Sequence, residues 1–336
     1  MPSSLPLFGQ AQPAPGLVGI ARLASLGSSI EEGHKVEYFT LAARSLLNRC
    51  TSRRMPFAWT INPYRGCEFG CKYCYARYTH EFMEMRDSLE FEQKIYVKQQ
   101  AAWLLRQDLK KVRPGQSIAL GTATDPYQPA ERRYEVTRAI LEEFAQHAGL
   151  ELGIVTKSNL VLRDTQLLQR ISLQNRLSIN LTVTTLNTKL ARILEPRAPR
   201  PDLRLDAVRK LSSAGLRVGV ICAPVLPGIT DSPADLESLV KTVAEAGGAW
   251  IYANPLFLKP CSEKVFMPFL EKEFPPLAEN YRQRYQARAF LPDSYRKRIS
   301  ALMAKLREKY RLGESYAKIP PRAGMPPDSQ AQLFGK

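Results

Sequence analysis

The chain has 336 residues, enough for one large domain with a sizeable core or for two smaller ones. Its hydrophobic content of 44% is that of an ordinary soluble protein, and no apolar run approaches the roughly 18 residues that a membrane span needs. The formal net charge of +16 favours a polyanionic partner over a small neutral substrate, and so indicates contact with nucleic acid. The first residues lack the basic start and apolar run of an export signal, so we expect a cytoplasmic protein without membrane attachment.

Short apolar strands alternate with helical patterns along most of the chain. Residues 1–30 are rich in Pro, Gly, Ser and Ala, so we expect a mobile tail there and an N-terminal extension over 31–56. We predict strands over 58–62, 117–125, 152–158, 177–185, 216–225 and 249–257, and helices over 88–112, 131–148, 163–173, 203–214 and 233–247. A basic helical extension over 271–313 and a disordered tail over 314–336 are expected to follow.

Six strands, each followed by a helix or loop, imply parallel βα units with right-handed crossovers. Such a sheet is either open and doubly wound or curled into a barrel, in which functional groups gather at the carboxyl ends of the strands. The unusual polar groups do follow strands here: the clustered cysteines after the first, TATDPYQP after the second and TKSN after the third. This placement favours a barrel-like mouth.

Three of the six cysteines fall within eight residues, at Cys67, Cys71 and Cys74, with the spacing Cys-x3-Cys-x2-Cys. In a reducing compartment, clustered cysteines favour metal binding or catalysis over disulfides. A structural zinc site would need a fourth protein ligand from His80, Cys50 or elsewhere. Three thiolates on a four-iron cluster instead leave one iron open to a small molecule.

The cysteine spacing, with Tyr73 before the last cysteine, resembles that of the radical S-adenosylmethionine (SAM) enzymes. The stretches GTATDPYQPAE, TKS and ILEPRAPRP are similar to the branch that contains spore photoproduct lyase, which repairs a thymine dimer in DNA, and its uncharacterised bacterial relatives. The resemblance implies an α/β fold, a partial (β/α)6 TIM-like barrel over 57–270. It also implies a [4Fe–4S] cluster on Cys67, Cys71 and Cys74, whose open iron binds SAM.

The resemblance further implies a reaction. One electron from the reduced cluster cleaves SAM, and the resulting 5′-deoxyadenosyl radical takes a hydrogen atom from the substrate. We therefore expect a lyase-like radical SAM enzyme that acts on nucleic acid, DNA more than RNA, in DNA repair, with an electron donor such as flavodoxin or ferredoxin. Two alternatives stay open: a radical SAM enzyme that modifies RNA or activates a protein, and a non-catalytic zinc-containing nucleic-acid-binding protein.

Polar residues after the second to fourth strands are the candidates for binding SAM. Thr124 and Asp125 leave the second strand, where Asp125 could instead cap a strand-to-helix turn. The further candidates are Lys157, Ser158, Ser178, Asn180, Glu195 and Arg197. Glu195 and Arg197 could instead pair with each other, and an inward row of polar side chains in a barrel is costly unless paired.

Cys261 follows the last predicted strand, where a thiol could return a hydrogen atom to a substrate radical. In spore photoproduct lyase a donor cysteine lies just upstream of a Thr-Ser-Asp motif, and Thr122 occupies that position here. This departure puts thymine-dimer repair itself in question. Cys222 lies in an apolar strand and is predicted to be a core residue.

The C-terminal segments suggest further partners. Residues 279–311 interleave Arg and Lys with Tyr and Phe, which is typical of an amphipathic helix pair that packs through Leu302, Leu306 and Tyr310. The same pattern is typical of a phosphate-tracking face with stacking aromatics, and one segment can do both. Residues 330–334, QAQLF, resemble bacterial sliding-clamp ligands, which makes a sliding clamp a further candidate partner.

Overall fold

The computed structural model describes residues 16–25, 29–33, 36–52, 55–286 and 288–315. The strands in these residues are β1 (Ser29–Gly33), β2 (Val36–Leu41), β3 (Leu47–Arg49), β4 (Trp59–Ile61), β5 (Tyr64–Arg65), β6 (Lys94–Lys98), β7 (Ser117–Leu120), β8 (Glu151–Thr156), β9 (Arg176–Thr182), β10 (Val218–Val225) and β11 (Trp250–Pro255). The α-helices are α1 (Gly19–Ser25), α2 (Tyr78–Glu81), α3 (Glu90–Gln93), α4 (Ala101–Leu109), α5 (Glu131–Tyr134), α6 (Val136–Phe144), α7 (Thr165–Gln174), α8 (Thr188–Leu194), α9 (Pro201–Ser213), α10 (Pro233–Glu245), α11 (Pro260–Glu273), α12 (Pro275–Tyr285) and α13 (Asp293–Lys309). Two 3-10 helices are η1 (Tyr75–Arg77) and η2 (Asn159–Asp164).

The larger sheet has seven strands in the order β11-β10-β9-β8-β7-β4-β3. The six strands from β4 to β11 pair in parallel, and β3 pairs antiparallel with β4. Each parallel strand lies beside the next one along the chain, as short right-handed βα crossovers require. Because the parallel strands follow chain order without a reversal and the edge strands β3 and β11 do not pair with each other, the sheet is an open, partial (β/α)6 barrel, and this prediction is confirmed.

The helices that cover the barrel largely begin and end where the sequence predicts. Helix α10 begins at Pro233, and the Ser232 hydroxyl caps it by accepting a hydrogen bond from the Asp235 amide at 3.1 Å. Gly149 and Gly215 have φ angles of +76° and +84°, the left-handed conformation expected after a helix end.

The predicted helix over 88–112 is wrong at its centre, because β6 lies between α3 and α4. The sequence KIYVK of β6 is rich in β-branched and aromatic residues, which suit a strand. Ile95 and Val97 pack into the main core, while Tyr96 between them packs into a second cluster with Leu41 and Met83. The side chains of β6 therefore alternate between two apolar clusters, as in a strand, although the residues on either side of β6 have a helical pattern.

A smaller sheet has four strands in the order β1-β2-β6-β5. In it β6, which the sequence predicted as part of a helix, pairs with β2 on one side and with β5 on the other. Helix α1 packs Ala24 against this sheet, beside Leu41 and Tyr96. The segment predicted as a mobile tail over 1–30 therefore includes a helix and the start of β1. Residues 1–15 and 316–336, with the proposed clamp-binding stretch 330–334, lie outside the described residues.

The C-terminal helices pack on the barrel. Ile299, Met303 and Leu306 of α13 are buried in the main core, with Leu302 and Tyr310 partly buried against it, so the packing predicted for this segment is confirmed. After α13 the chain returns to the free edge of β11, where the Ile251 amide donates to the Gly313 carbonyl at 3.0 Å. Across the described ranges, no helix combines the length and apolarity that crossing a membrane would need.

Candidate active site at the barrel mouth

The cysteine loop, residues 66–74, connects β5 to η1 and carries three free thiols. Cys67 and Cys71 are buried, and Cys74 is half-buried. Burial raises the pKa of all three thiols; the negative charge of Asp125 adds to the rise for Cys67, while for Cys71 the charge of Lys157 opposes the rise and that of Glu195 adds to it. Such thiols keep their protons until a metal centre displaces them.

One side of the loop, which we call the small-sheet flank, rests on β6 and α3. The Cys67 amide donates to the Phe91 carbonyl at 2.9 Å. Gly66 has a φ of +83°, and a Cβ there would lie 2.6 Å from the Lys94 carbonyl oxygen. Only glycine fits this close approach. Buried Arg77 adds a charged contact, because its Nη2 donates to the Cys71 carbonyl at 3.1 Å and to Glu92 at 2.9 Å.

The other side of the loop, the barrel flank, rests on residues that follow the barrel strands. The Thr124 hydroxyl donates to the Gly66 carbonyl at 2.6 Å. Gln128 donates to the same carbonyl at 3.2 Å and accepts from the Glu68 amide at 2.9 Å. The Lys72 amide donates to the Leu194 carbonyl at the end of α8, at 2.9 Å. The loop is thus fixed to the ends of β7 and α8.

A buried charge network lies under the loop. The Glu195 carboxylate accepts hydrogen bonds from the hydroxyls of Tyr73 and Thr184 and from the Arg204 guanidinium. Burial disfavours its charge, yet Arg204 and Lys157 together hold the pKa of Glu195 below its ordinary value. The Lys157 amine lies 5.8 Å from the centre of the Tyr73 ring. Burial also disfavours the charge of Lys157, but negative charge on Cys71, once that thiol is deprotonated, and on Glu195 raises the pKa of Lys157 above its ordinary value, so its amine is protonated.

The predicted meeting of the strand-following segments is confirmed. Asp125 accepts hydrogen bonds from the Thr156 hydroxyl at 2.6 Å and the Lys157 amide at 2.7 Å, which joins the ends of the second and third barrel strands. Asp125 also lies close enough to Cys67 to raise its pKa. The Ser158 hydroxyl accepts from the Leu160 amide at 3.2 Å and caps η2.

Two polar residues of β9, Ser178 and Asn180, differ in whether their side chains already have hydrogen-bond partners. The Asn180 amide oxygen accepts from the Trp250 indole at 2.9 Å, and its nitrogen donates to the Ile154 carbonyl at 3.2 Å. Trp250 reaches Asn180 by crossing Gly219, where a Cβ would lie 2.0 Å from the indole. Asn180 is therefore engaged in packing, whereas half-buried Ser178 has no side-chain hydrogen bond to another described residue.

The alternative in which Glu195 pairs with Arg197 is wrong. Glu195 pairs with Arg204 of α9, while Arg197 lies 3.6 Å from Glu92 on the small-sheet flank and is 40% exposed at its side chain. Arg204 has a sequence signal that we missed. Positions 201, 204, 208 and 211 have the spacing of one helix face, and the other three are buried apolar residues. A charged residue at such a position must find a buried partner.

Cys261 lies in the first turn of α11 and is buried behind the cysteine loop. Its sulfur is 4.0 Å from the Tyr75 carbonyl, and the neighbouring Ser262 hydroxyl donates to the Cys74 carbonyl at 2.8 Å. Tyr75 in turn donates its hydroxyl to the carbonyl of Thr122. Cys222 is fully buried in the core, as predicted.

The donor set of the loop fits an iron–sulfur cluster. Within the described part of the chain, no group of three or more His, Cys, Asp or Glu side chains is placed to bind one metal ion. A four-iron cluster does not require such convergence, because each thiolate binds a different iron. The three thiols share one loop, and Gly66 and Gly70, with φ angles of +83° and +62°, shape it.

Comparisons with known proteins agree with this site. A model of the radical SAM superfamily matches residues 61–241, more than half of the chain. The uncharacterised protein Rv2578c of Mycobacterium tuberculosis is 35% identical over 326 residues, which cover 95% of this chain and 94% of that protein. The uncharacterised protein MJ0683 of Methanocaldococcus jannaschii is 27% identical over 242 residues, covering 72% and 85%.

Among solved structures, a spore photoproduct lyase mutant has a TM-score of 0.63 at 18% identity, covering 91% of this chain and 85% of that chain. A doubly substituted spore photoproduct lyase with bound AdoMet and dinucleoside spore photoproduct has a TM-score of 0.62, also at 18% identity, covering 91% and 85%. At this identity the likeness concerns the fold. With the family match over more than half of its length, the chain belongs to the radical SAM superfamily and is a radical SAM enzyme, of a family whose cofactors are a [4Fe–4S] cluster and SAM.

Proposed function

We propose that this enzyme binds a [4Fe–4S] cluster through Cys67, Cys71 and Cys74, cleaves SAM with it, and acts on a damaged base in DNA. The observation that carries the proposal is the grouping of three thiols, two buried and one half-buried, on one loop that hydrogen bonds fix to the residues following the parallel strand β7. A protonated lysine, Lys157, lies beside them in the same mouth. When bound, the cluster supplies the electron that cleaves SAM, and SAM supplies the hydrogen-abstracting radical.

In this proposal the chain's own residues bind SAM, hold the cysteine loop in position and limit the entry of water. The charged Lys157 amine suits a carboxylate, and we assign it to the carboxylate of SAM. Ser178 offers a hydroxyl inside the barrel for the ribose, while Asp125 and Arg197 remain candidates at the rim. Thr124, Ser158, Asn180 and Glu195 already have protein partners, so in this proposal they position the loop and the strand ends. Tyr75 spans from the cysteine loop to Thr122 and limits water entry on that side.

The DNA part of the proposal rests on charge and on the fold shared with spore photoproduct lyase. Several cations of the basic extension are neutralised by nearby acids, such as Arg296 by Asp293 and Arg298 by Asp231. Among the described residues, exposed Lys297 and Lys305 have no ion-pair partner and are available for phosphates. We place the enzyme in the cytoplasm, with flavodoxin or ferredoxin as electron donor and a sliding clamp as a partner for residues 330–334.

Metal analysis and SAM cleavage test the cluster. Anaerobically reconstituted protein should bind about four irons per chain and release 5′-deoxyadenosine from SAM with dithionite. Single alanine substitutions of Cys67, Cys71 or Cys74 should abolish the cleavage, while Cys50→Ala, at a half-buried cysteine outside the loop, keeps it. One tightly bound zinc without iron would contradict the proposal. So would cleavage that survives loss of all three thiols.

The yield of 5′-deoxyadenosine with added polymers tests the substrate. DNA that carries damaged bases should raise the yield above that with undamaged DNA, RNA or protein alone. A rise with RNA and none with any DNA would contradict the DNA assignment. For Cys261 we propose hydrogen return to the substrate, which requires its contact with the Tyr75 carbonyl to open. Cys261→Ala should then lower product formation without lowering 5′-deoxyadenosine release.

A further inference from the structure

A row of aromatic side chains lies on the surface beside the barrel mouth. We call it the aromatic strip: Phe82, Tyr78, Tyr75, Phe257 and Phe290, with Lys259 among them. The ring centres are 5.6 Å apart for Phe82 and Tyr78, 6.4 Å for Tyr75 and Phe257, and 4.5 Å for Phe257 and Phe290. The Lys259 amine lies 3.6 Å from the centre of the Tyr78 ring and 5.9 Å from that of Phe257, so it links the two groups of rings.

Three rings of the strip are exposed and the other two, Tyr78 and Phe257, are half-buried, although apolar rings ordinarily pack inside. Phe82 is 60% exposed, Tyr75 41% and Phe290 40%. Single exposed apolar residues are common, but grouped ones mark an interaction surface. The function proposed above does not use Phe82, Phe257 or Phe290.

The strip is fixed in place rather than carried on a loose loop. The main chains of Phe257 and Phe290 form an antiparallel bridge, and the Leu258 amide donates to the Ala289 carbonyl at 2.9 Å. Tyr75 is anchored by its hydrogen bond to Thr122. A ring that is already ordered loses little conformational entropy when a partner stacks on it.

The strip also begins at the reaction site. Tyr75 directly follows Cys74, the last thiol of the cysteine loop, and Phe257 and Lys259 lie two and four residues after the end of β11. A chain that lies along the strip would therefore run into the barrel mouth. The occupant must present flat apolar groups to the rings and a negative charge to Lys259.

Unpaired nucleotides have both properties. Each base offers a flat face for stacking, and each phosphate offers a negative charge to the cation, in a protein whose net charge is +16. A paired duplex covers the faces of its bases by stacking them on each other, so it can use the cation but not the rings. We propose that the aromatic strip binds the unpaired nucleotides of a strand beside the mouth, an inference that rests on nucleic acid being the substrate.

Binding of a short fluorescent oligothymidine, compared with a hairpin duplex of similar charge, tests this. The wild type should bind the unpaired strand more tightly. Phe82→Ala and Phe290→Ala should each weaken that binding about tenfold while hardly changing duplex binding. Lys259→Gln should lower the slope of log affinity against log salt by about one. The matched control is Trp103→Ala, a 55% exposed aromatic on α4 outside the strip, which should bind as the wild type does.

The result that overturns the proposal is unchanged oligothymidine binding in both phenylalanine variants, or equal binding of duplex and single strand by the wild type. A third result would also overturn the proposal: the wild type binds an apolar peptide but no oligonucleotide, and the phenylalanine variants lose the peptide. The strip would then be a protein-binding surface. Phe290→Tyr should restore binding, because it keeps the ring. Cleavage of SAM without nucleic acid is measured in the wild type and in the same variants. If the wild type does not cleave SAM, the proposed function is refuted. If cleavage is normal but oligothymidine binding is unchanged in the variants, only the proposed role of the aromatic strip is refuted.

Discussion

The two flanks of the cysteine loop stabilise it by different physical means. The barrel flank uses side chains, above all the buried pair of Glu195 and Arg204 and the Thr124 hydroxyl. The small-sheet flank relies on close backbone contact, with Gly66 against the carbonyls of Phe91 and Lys94. Removing one partner of a buried charge pair lowers the free energy of unfolding, whereas closely packed backbone is destabilised when a substitution adds an atom. Substitutions on each flank should therefore differ in kind.

The largest effect is expected from Arg204→Ala on the barrel flank. Glu195 is 1% exposed, and removing its cation would leave a buried carboxylate uncompensated. We expect a loss of about 3–5 kcal/mol in the free energy of unfolding, measured by urea denaturation. The control is Arg200→Ala, whose ion pair with Asp202 is exposed to solvent and screened, so its loss should cost far less. Equal losses in the two variants would refute the role given to the buried pair.

The next effect is expected from Gly66→Ala on the small-sheet flank. The new Cβ would lie 2.6 Å from one backbone carbonyl oxygen and 2.9 Å from another, at a φ of +83°. We expect a loss of about 2–4 kcal/mol, from overpacking and backbone strain together, and a lower iron content. Gly149→Ala separates the two causes, because its φ is +76° but nothing lies within 4 Å of the added atom. If Gly66→Ala and Gly149→Ala lower the free energy of unfolding equally, the close packing around Gly66 contributes nothing to the loss.

A smaller, pH-dependent effect is expected from His80, which also supports the small-sheet flank. Burial lowers the pKa of His80 from 6.5 to about 4, and its Nε2 contacts the Lys94 carbonyl at 3.1 Å. As pH falls below 6.5, the unfolded chain binds this proton before the folded one, so stability falls. The loss should approach about 3 kcal/mol near pH 4 and then level off. The measurement is the wild-type unfolding free energy against pH, minus that of His80→Gln, and a flat difference would contradict the assignment.

The smallest effect is expected from Thr124→Val on the barrel flank. The substitution keeps the shape of the side chain but removes the 2.6 Å hydrogen bond to the Gly66 carbonyl and the 2.9 Å hydrogen bond that Gln128 donates to the hydroxyl, at a cost of about 1–2 kcal/mol. Iron content should be unchanged, because Gln128 still donates to the same carbonyl. Thr242→Val, which removes an exposed hydroxyl contact, should cost roughly 0.5 kcal/mol or less. A loss of iron in Thr124→Val would mean that this hydroxyl contributes directly to the cluster site.

The two flanks also differ in how far the sequence reveals them. The barrel flank is largely predictable, since parallel strands bring the residues that follow them, such as Thr124 and Asp125, to one end of a barrel. The small-sheet flank was hidden within a stretch predicted as helix, because the five residues of β6 are too few for their alternation to outweigh long helical patterns on both sides. Spacing alone could not show that Glu195 pairs with Arg204, as Arg197 is also near in sequence. That choice depends on which guanidinium faces the core.

The return of the chain to β11 after α13 has a consequence for association between molecules. An incomplete barrel leaves a strand with free amide and carbonyl groups along its outer margin, a template on which another copy could add a strand. Gly313 donates to the Ala249 carbonyl and accepts from Ile251, both at 3.0 Å, and so satisfies part of that margin from within the same molecule. The basic extension thereby leaves less of this margin open to a strand from another copy, independently of any role its charges have with DNA.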